Sequence, residues 1–344
     1  NNRDGTFTEC GKKAFTFTSL FSMGNDVADI NHDGFPDLLT LDMLAEDETV
    51  LKRSEGEENI NIQKMRTGEY GYGYQYQRNM LHINQGDGTF METALLSGVE
   101  ATDWSWSAIF ADFDHDGHQD LFVSNGIPRR PNDLDYIKYV SNERIVNTIS
   151  STKLVDQQAL SLMPSGTVQN YVFKGDGNLS FHNMSGEWLP AEQTCSTASA
   201  VADLDNDGDL DIIINNVDAS PTVLINETNS TSNFIKVRLK YRRPNEFGIG
   251  ARVYCYYSGG TMQMKEMYTV RGFQASSEPM IHFGFGRSDK ADSIAVVWPD
   301  QRRQVLRGPE INREITVTYQ ADADIAGDYS SVGEKHLFQS TGDS

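Results

Sequence analysis

Cysteine is scarce in this chain, with Cys10, Cys195 and Cys255 among 344 residues. The three thiols show no pairing pattern, so no disulfide framework is predicted. So little cysteine does not require an oxidising compartment, and it is compatible with a bacterial surface protein.

Positive charge and long apolar runs are also lacking. The chain has 29 basic against 49 acidic residues and a formal net charge of −20, which argues against nucleic acid and anionic membrane surfaces as partners. No apolar stretch approaches the roughly 18 residues of a membrane span, so no transmembrane segment is predicted. No signal peptide is present, and segment 2–7 is similar to 84–90. We therefore expect a fragment of a longer secreted protein, with any lipid anchor outside residues 1–344.

Sequence motifs of common enzyme classes are lacking too. No Ser or Cys occupies a nucleophile elbow, and there is no His-Glu-x-x-His motif or phosphate-binding glycine loop. The seven histidines are scattered along the chain. The sequence therefore predicts no catalytic residue.

Aspartate, in contrast, is concentrated in three nonapeptides at 29–37, 112–120 and 203–211, each with Asp at positions 1, 5 and 9 and Gly at position 6. Calcium takes about six to eight oxygen ligands, which side chains at positions 1, 3, 5 and 9 and the carbonyl at position 7 can supply. The glycine permits the turn that points these oxygens inward. The predicted ligands of three Ca²⁺ ions are Asp29, Asn31, Asp33, Phe35 and Asp37; Asp112, Asp114, Asp116, His118 and Asp120; and Asp203, Asp205, Asp207, Asp209 and Asp211.

A solvated acidic turn would explain one such motif, but three copies favour metal binding. An EF-hand is excluded because position 12 is Thr40, Val123 or Ile214 rather than Glu. The motifs carry three, four and five carboxylates in chain order, so calcium affinity is predicted to rise in that order. The loop histidines at 32, 115 and 118 are poor side-chain ligands for a hard cation, and we expect their rings to face solvent.

Each acidic motif lies between two short apolar segments that are predicted to be strands. Asp-Gly turn signals at 87–88 and 176–177 predict further hairpins, which gives about four strands per repeat, as in a propeller blade. The motifs resemble the FG-GAP/VCBS repeats of integrin-α-like β-propellers, and this resemblance implies calcium-binding blades. About three blades fit within 1–228, too few to close a ring, so we expect further blades outside residues 1–344.

Two insertions, at about 45–79 and 127–170, lengthen the repeats, and insertions in repeat proteins often form the binding face. Tyr72 and Tyr74 of the first alternate with glycine, and tyrosine supplies contact area at small entropic cost. Arg129 and Arg130 of the second could grip a carboxylate or a neighbouring chain. These four are the predicted partner-binding residues, although packing of each insertion on its own blade would explain them as well.

Beyond Asn233 the chain alternates like a series of strands and carries the segments 248–253, 282–286 and 297–300, which begin Gly-Ile-Gly, His-Phe-Gly and Val-Trp-Pro. This stretch resembles the ASPIC/UnbV domain, which implies a β-sandwich-like domain at 229–320, with 321–344 linking to a further module. Repeats followed by this domain resemble the cartilage-acidic-protein-like family, common among surface proteins of Bacteroidetes. The predicted fold class is all-β, with a partial set of propeller blades followed by the sandwich.

The function predicted from these features is a non-catalytic, calcium-stabilised binding protein at the bacterial cell surface, with a protein or glycan partner. Calcium loops of modest affinity suit millimolar calcium outside the cytoplasm. The family resemblance implies, in addition, an accessory lipoprotein subunit of an outer-membrane, SusCD-like nutrient-uptake complex. The alternative is a polysaccharide- or peptide-active enzyme whose catalytic residues lie outside this fragment.

Overall fold

A computed structural model describes residues 2, 4–54, 59–141, 160–228 and 232–325. These residues are nearly all-β, and they form five sheets of three or more strands: three that carry the acidic motifs in a β-propeller-like arrangement, and two that form a sandwich. The predicted all-β fold class is therefore confirmed. Residues 142–159 of the second insertion and 326–344 of the predicted linker lie outside the described residues.

The first three sheets each contain one acidic motif, placed between two antiparallel strands. The first sheet consists of β2 (Asn25–Ala28), β3 (Asp37–Thr40), β6 (Met80–Asn84) and β7 (Phe90–Glu92). The second consists of β4 (Met43–Leu44), β8 (Asp103–Ala111), β9 (Asp120–Asn125), β12 (Tyr171–Gly175) and β13 (Phe181–Asn183). The third consists of β14 (Ser196–Ala202), β15 (Asp211–Asn216) and β16 (Thr222–Leu224). The predicted strand-loop-strand hairpins are confirmed, whereas further blades outside residues 1–344 stay a prediction.

Strand β8 lies between β2 and β14, the strands that lead into the first and third motifs. The backbone N–H of Phe110 donates to Asp26 on β2 at 2.7 Å, and Ser199 on β14 donates to Ser107 at 2.7 Å. Successive residues of β8 point to opposite sides. Phe110 therefore belongs to the apolar core shared with the first sheet, and Ile109 belongs to the core shared with the third.

The C-terminal part is a sandwich of two sheets. One sheet consists of β17 (Phe234–Lys240), β22 (Ile281–Gly284) and β25 (Glu314–Thr318), and the other of β18 (Arg252–Tyr257), β19 (Thr261–Glu266), β23 (Ala291–Val297), β24 (Arg302–Arg307) and β26 (Asp324–Ile325). A single buried cluster that includes Val237, Val253, Phe283 and Trp298 joins the two sheets. Strand β24 was not predicted from the sequence, because its polar residues lack an apolar alternation.

A small hairpin of β20 (Val270–Arg271) and β21 (Ala275–Ser276) joins the sandwich to the blades. The Arg271 Nε donates to Asp26 Oδ1 at 3.2 Å, and the Tyr268 hydroxyl donates to the same oxygen at 3.1 Å. Gly272 pairs with Asn25 of β2, and a Cβ on Gly272 would lie 2.1 Å from the Ser107 hydroxyl oxygen. The hairpin thus closely contacts the strands that lead into the first two motifs.

The insertions contain most of the described helices. The first holds α2 (Glu48–Arg53), α3 (Ile60–Lys64), a π-helical turn (Met65–Glu69) and β5 (Tyr74–Tyr76), which pairs in parallel with β1 (Phe17–Ser19). The second holds β10 (Ile127–Arg129), α5 (Leu134–Val140) and β11 (Ser165–Gly166). The other short helices are α1 (Gly11–Ala14), α4 (Ala94–Ser97) and α6 (Ser185–Trp188). Among the described residues, no helix is long and apolar enough to cross a membrane.

Asp26 is the central acceptor of the contact between blades and sandwich, so its removal tests that contact. We expect Asp26→Ala to lower the free energy of unfolding by about 3 kcal/mol, because the half-buried Arg271 and the Phe110 N–H would both lose their acceptor. Urea unfolding measures this loss. The matched control is Glu246→Ala, which breaks the exposed Arg243–Glu246 pair and should cost less than about 1 kcal/mol. Equal losses for the two variants would contradict the assignment.

Candidate metal centres and partner surface

The first carboxylate of each motif fixes the glycine turn. Asp29, Asp112 and Asp203 each accept a hydrogen bond of 3.0 Å from the backbone N–H of the position-6 glycine, which is Gly34, Gly117 or Gly208. The three glycines have φ angles of 86°, 96° and 107°, a region that side chains other than glycine rarely adopt. The turn therefore has the geometry expected from the sequence.

The carboxylate at position 9 joins each hairpin to the next strand of its sheet. One oxygen accepts from the backbone N–H of position 2 and the other from a residue at or just after the third strand. For Asp37 these donors are Ile30 and Asn84, both at 2.9 Å. The same pairs recur as Phe113 and Gly175 on Asp120, and as Leu204 and Asn226 on Asp211. The sequence predicted these aspartates only as metal ligands and missed this second role.

The second and third motifs bring their carboxylates together. Oxygens of Asp112, Asp114 and Asp116 lie within 4.8 Å of one another, and so do oxygens of Asp203, Asp205 and Asp211. No comparable group from the first motif occurs among the described residues, because its position 3 is the neutral Asn31, whose amide donates to Asp33 at 2.9 Å.

Two buried oxygens in these clusters have no hydrogen-bond donor within the described residues: Asp112 Oδ1 and Asp203 Oδ1. A buried carboxylate oxygen without a partner is costly, whereas a hard cation would satisfy it together with the neighbouring carboxylates. The residues present therefore fit an oxygen-coordinated divalent cation at the second and third motifs.

Burial raises the pKa of several motif carboxylates in the metal-free chain. Desolvation raises the pKa of Asp29, Asp112 and Asp209 to about 7 and that of Asp37 to about 6. Neighbouring aspartates add to the rise at each of these sites. A cation among the oxygens would reverse this effect, since it favours the charged form.

Two lysines that the sequence did not predict reach the acidic clusters. Lys174 on β12 contacts Asp114 and lies 2.7 Å from Asp116 Oδ2, and Lys236 on β17 of the sandwich contacts Asp203. Each ammonium group offsets part of the negative charge that would otherwise attract a cation. The predicted order of calcium affinities assumed that ligand charge dominates, and it stays a prediction. These lysines would reduce the differences in affinity between the motifs.

The rings of the loop histidines do not face solvent, contrary to the prediction. His115 is buried, lies 3.5 Å from Asp209 Oδ1 and packs on His282 of the sandwich with ring centroids 4.7 Å apart. His32 and His118 are half-buried and stack on each other across the first two motifs. The prediction was wrong because it considered each loop alone, whereas neighbouring loops and the sandwich pack on these rings.

The sandwich contacts all three motifs. A Cβ on Gly34 would lie 3.5 Å from Met262, and one on Gly117 would lie 2.9 Å from the Tyr257 hydroxyl. At the third motif, His282 Nε2 hydrogen-bonds the Gly208 carbonyl at 3.0 Å. From the sandwich side, a Cβ on Gly284 would lie 2.1 Å from Asp112 Oδ2. The candidate metal centres thus lie at the contact between blades and sandwich.

The predicted partner-binding residues differ in exposure. Tyr72 and Tyr74 are 60% and 52% exposed, and Tyr74 is positioned by its strand and by edge contact with Phe17 at 6.5 Å between ring centroids. Arg129 is exposed, with one guanidinium nitrogen 3.3 Å from the Met163 carbonyl. Arg130 is 7% exposed and pairs with Asp103 at 2.8 Å. The structure therefore does not present Arg130 to a partner, because its guanidinium is held inside the chain.

Comparisons with known proteins agree with this architecture. Residues 70–123 and 159–214 match the FG-GAP-like repeat family, and residues 241–324 match the family described as ASPIC and UnbV. The chain thus contains FG-GAP-like repeats followed by an ASPIC/UnbV domain, and the predicted resemblance is confirmed.

The chain is also similar to cartilage acidic protein 1 from three vertebrates. It is 28% identical to the Mus musculus protein over 276 residues, 27% to the Homo sapiens protein over 283 residues and 26% to the Xenopus tropicalis protein over 276 residues. These alignments cover 72%, 73% and 72% of this chain. In each case they cover 42% of the relative, so the chain spans about two-fifths of the length of these curated relatives.

Removal of calcium should destabilise the protein. If each site has a Kd of about 10⁻⁵ M, millimolar calcium contributes about 2.7 kcal/mol per site to the folded state. We expect EDTA to lower Tm markedly in calorimetry and Asp205→Ala to reduce the calcium effect more than Asn31→Ala, because Asp205 belongs to a gathered carboxylate cluster. The control is Asp289→Ala, which replaces an exposed aspartate outside the motifs and should leave the calcium effect on Tm unchanged. A melt that is insensitive to EDTA would rule out structural calcium.

Calcium binding should also release protons near neutral pH. Asp29 and Asp112, with pKa values of about 7 in the metal-free chain against 3.8 when unfolded, are partly protonated at pH 7, and a bound cation ionises them. We expect release on the order of one proton, measured by calorimetric titration in buffers of different ionisation enthalpy. Because these folded-state pKa values are raised, metal-free stability should fall as pH rises from about 4 through 7. Calcium-loaded protein should lack this trend, and identical pH profiles would contradict the assignment.

Proposed function

We propose that this chain is a non-catalytic, extracellular binding protein whose blades are stabilised by three Ca²⁺ ions. The observation that carries the proposal is the unpaired buried oxygen of Asp112 and of Asp203, each within a cluster of three carboxylates. A calcium ion would supply positive charge and coordination to these oxygens. The first motif would bind through Asp29, Asn31, Asp33 and Asp37 with fewer charged groups.

Hydrogen bonds within each motif would let a bound cation stabilise the strands around the loop. Positions 1 and 9 hold each loop to its glycine turn and to the third strand, so a cation that fixes the loop also fixes three strands. Lys236 and His282 connect the third loop to the sandwich, because they contact Asp203 and the carbonyl of Gly208. Calcium therefore acts on the position of the sandwich as well as on the blades.

The partner surface in this proposal consists of Tyr72, Tyr74 and Arg129. Large exposed tyrosines on a segment that is held by strand pairing are suited to contact a partner, since little side-chain entropy is lost on binding. Arg129 adds an exposed positive charge to a chain whose net charge is negative. The partner is a protein or a glycan at the cell surface.

The setting of this function follows from calcium and from the family resemblance. Sites of modest affinity would fill where calcium is millimolar, which supports a location outside the cytoplasm. The resemblance supports a bacterial surface protein and an accessory role in a SusCD-like uptake complex. The alternative is an enzyme with catalytic residues outside 1–344. Assays of the complete protein on polysaccharides and peptides, with and without chelator, separate the two, because turnover would refute the non-catalytic role.

The tyrosine surface can be tested directly. We expect the triple variant Tyr72→Ala/Tyr74→Ala/Arg129→Ala to weaken capture of the native surface partner at least tenfold in a pull-down titration, while Tm changes by no more than a few degrees because all three side chains are exposed. Leu96→Ala, an exposed apolar residue on α4 of the first blade, is the control and should leave capture unchanged. Full capture by the triple variant would place the interface elsewhere, with the sandwich as the next candidate.

A further inference from the structure

We infer that the third blade binds an extended segment of a partner protein, which pairs with the open edge of β16 and carries an aromatic residue and basic residues. The first two blades have a fourth strand, β7 or β13, beside the third strand of the sheet. The third blade ends at β16, and no described residue pairs with the outer edge of that strand. An open strand edge is a template for a further strand. This inference goes beyond the proposed function, because the tyrosine surface belongs to the first insertion.

The repeats show which backbone groups of β16 are open. Leu81 on β6, Val172 on β12 and Val223 on β16 are equivalent, because each pairs with the second residue after the acidic motif of its blade. The Leu81 carbonyl accepts from the Thr93 N–H at 2.8 Å, and the Val172 carbonyl accepts from the Met184 N–H at 2.9 Å. The backbone of Val223 has no such partner in the part of the chain that the structure describes. A strand laid along β16 would supply that partner.

A groove with a volume of about 600 Å³ lies beside this edge, between the second and third blades. Its walls are largely apolar and include Trp188 and Leu224. In the second blade, Phe181 on β13 pairs with Gly175 and is 7% exposed. Asn226 is the equivalent of Gly175, since both backbone N–H groups donate to a position-9 aspartate, and it lines the groove. An aromatic side chain opposite Asn226 would therefore enter the groove, as Phe181 enters the core.

The first blade also has an aromatic residue at this place. Phe90 on β7 pairs with Asn84, and its ring stacks on Phe15 with centroids 4.8 Å apart. Asn84 is equivalent to Asn226, because its backbone N–H donates to Asp37. Both blades that have a fourth strand thus place phenylalanine opposite the residue that bonds the position-9 aspartate. The repeat itself therefore indicates which side chain the groove accepts.

The charge of the groove favours basic residues in the partner. Glu187 and Glu227 line the groove, both are exposed, and no described lysine or arginine pairs with either of them. Asp114 also lines the groove, but Lys174 contacts it and offsets its charge. Lysine or arginine beside the aromatic residue would be attracted to the two glutamates. A second copy of this chain would instead bring the same glutamates together, and this repulsion disfavours it as the partner.

The test uses the full chain in calcium-containing buffer and a fluorescein-labelled peptide. The peptide has the sequence of residues 178–184, which include β13, with one lysine added at each end. We expect fluorescence anisotropy to detect saturable binding of this peptide. Three control peptides should each bind at least about tenfold more weakly. One has glutamate at each end, one has serine in place of phenylalanine, and one has methylated backbone nitrogens that cannot pair.

Variants of the chain test the same contacts. Val223→Pro removes an N–H at the strand edge, where proline is tolerated, so binding should weaken at least about tenfold while Tm changes by no more than a few degrees. Val223→Thr keeps the N–H and is the matched control, which should bind the peptide as the wild type does. The double variant Glu187→Lys/Glu227→Lys should reverse the preference between the lysine and glutamate peptides.

Failure of the wild type to bind the lysine peptide, equal binding of the methylated peptide, or unchanged binding by Val223→Pro would overturn the inference. If another segment of this protein already pairs with β16, the peptide will not bind and Val223→Pro alone will lower Tm strongly. If a second copy pairs with it, sedimentation will show a dimer that Val223→Pro dissociates. Either result would also overturn the inference. Neither would affect the tyrosine surface, which the triple variant tests separately.

Discussion

The arrangement of the blades depends on one carboxylate in each acidic motif, the aspartate at position 9. Its two oxygens accept backbone hydrogen bonds from the loop and from the third strand of the sheet, as Asp120 does from Phe113 and Gly175. This contact holds the loop closed independently of any cation, because both donors belong to the protein backbone. In the second motif the carboxylates at positions 1, 3 and 5 lie together, and in the third motif Asp211 itself joins Asp203 and Asp205. The position-9 aspartate thus closes the loop in every motif and also belongs to the carboxylate cluster of the third.

Charged side chains also form part of the contact between the blades and the sandwich. The acidic motifs lie at the surface on which the sandwich packs, where burial, together with the neighbouring carboxylates, raises the pKa values of Asp112 and Asp209. Lys236 meets part of that charge from the sandwich side, and Lys174 does so from within the second blade. A cation or protons would offset the remaining negative charge at this contact. We therefore expect the contact between blades and sandwich to depend on calcium and pH more than the apolar cores inside each part do.

The sequence predicted the features that are local. The hairpins, their glycine turns and the oxygens of each motif follow from nine consecutive residues, and most of the sandwich strands, though not β24, follow from alternation. It did not predict features that depend on residues far apart in the chain. Arg130 was expected at a surface, but it pairs with Asp103, and His115 was expected in solvent, but it packs on His282. Trp104 and Trp106 look equivalent in the sequence, yet one indole N–H is bonded and the other is not. Such differences are decided by which neighbour approaches from another repeat, and a single sequence carries no signal for that choice.

The position of the sandwich over the acidic motifs has a consequence for the order in which the protein matures. The blades precede the sandwich in the chain, and domains generally fold as they emerge, with the N-terminal part first. The motifs are consequently open while the protein is being made or exported, and β17 and β22 pack on the second and third motifs only afterwards. A cation can enter early without displacing any packed segment. Once the sandwich is seated, Asp112 is buried beside Gly284 whereas Asp205 and Asp207 stay exposed, so a cation at the second motif would be retained longer than one at the third.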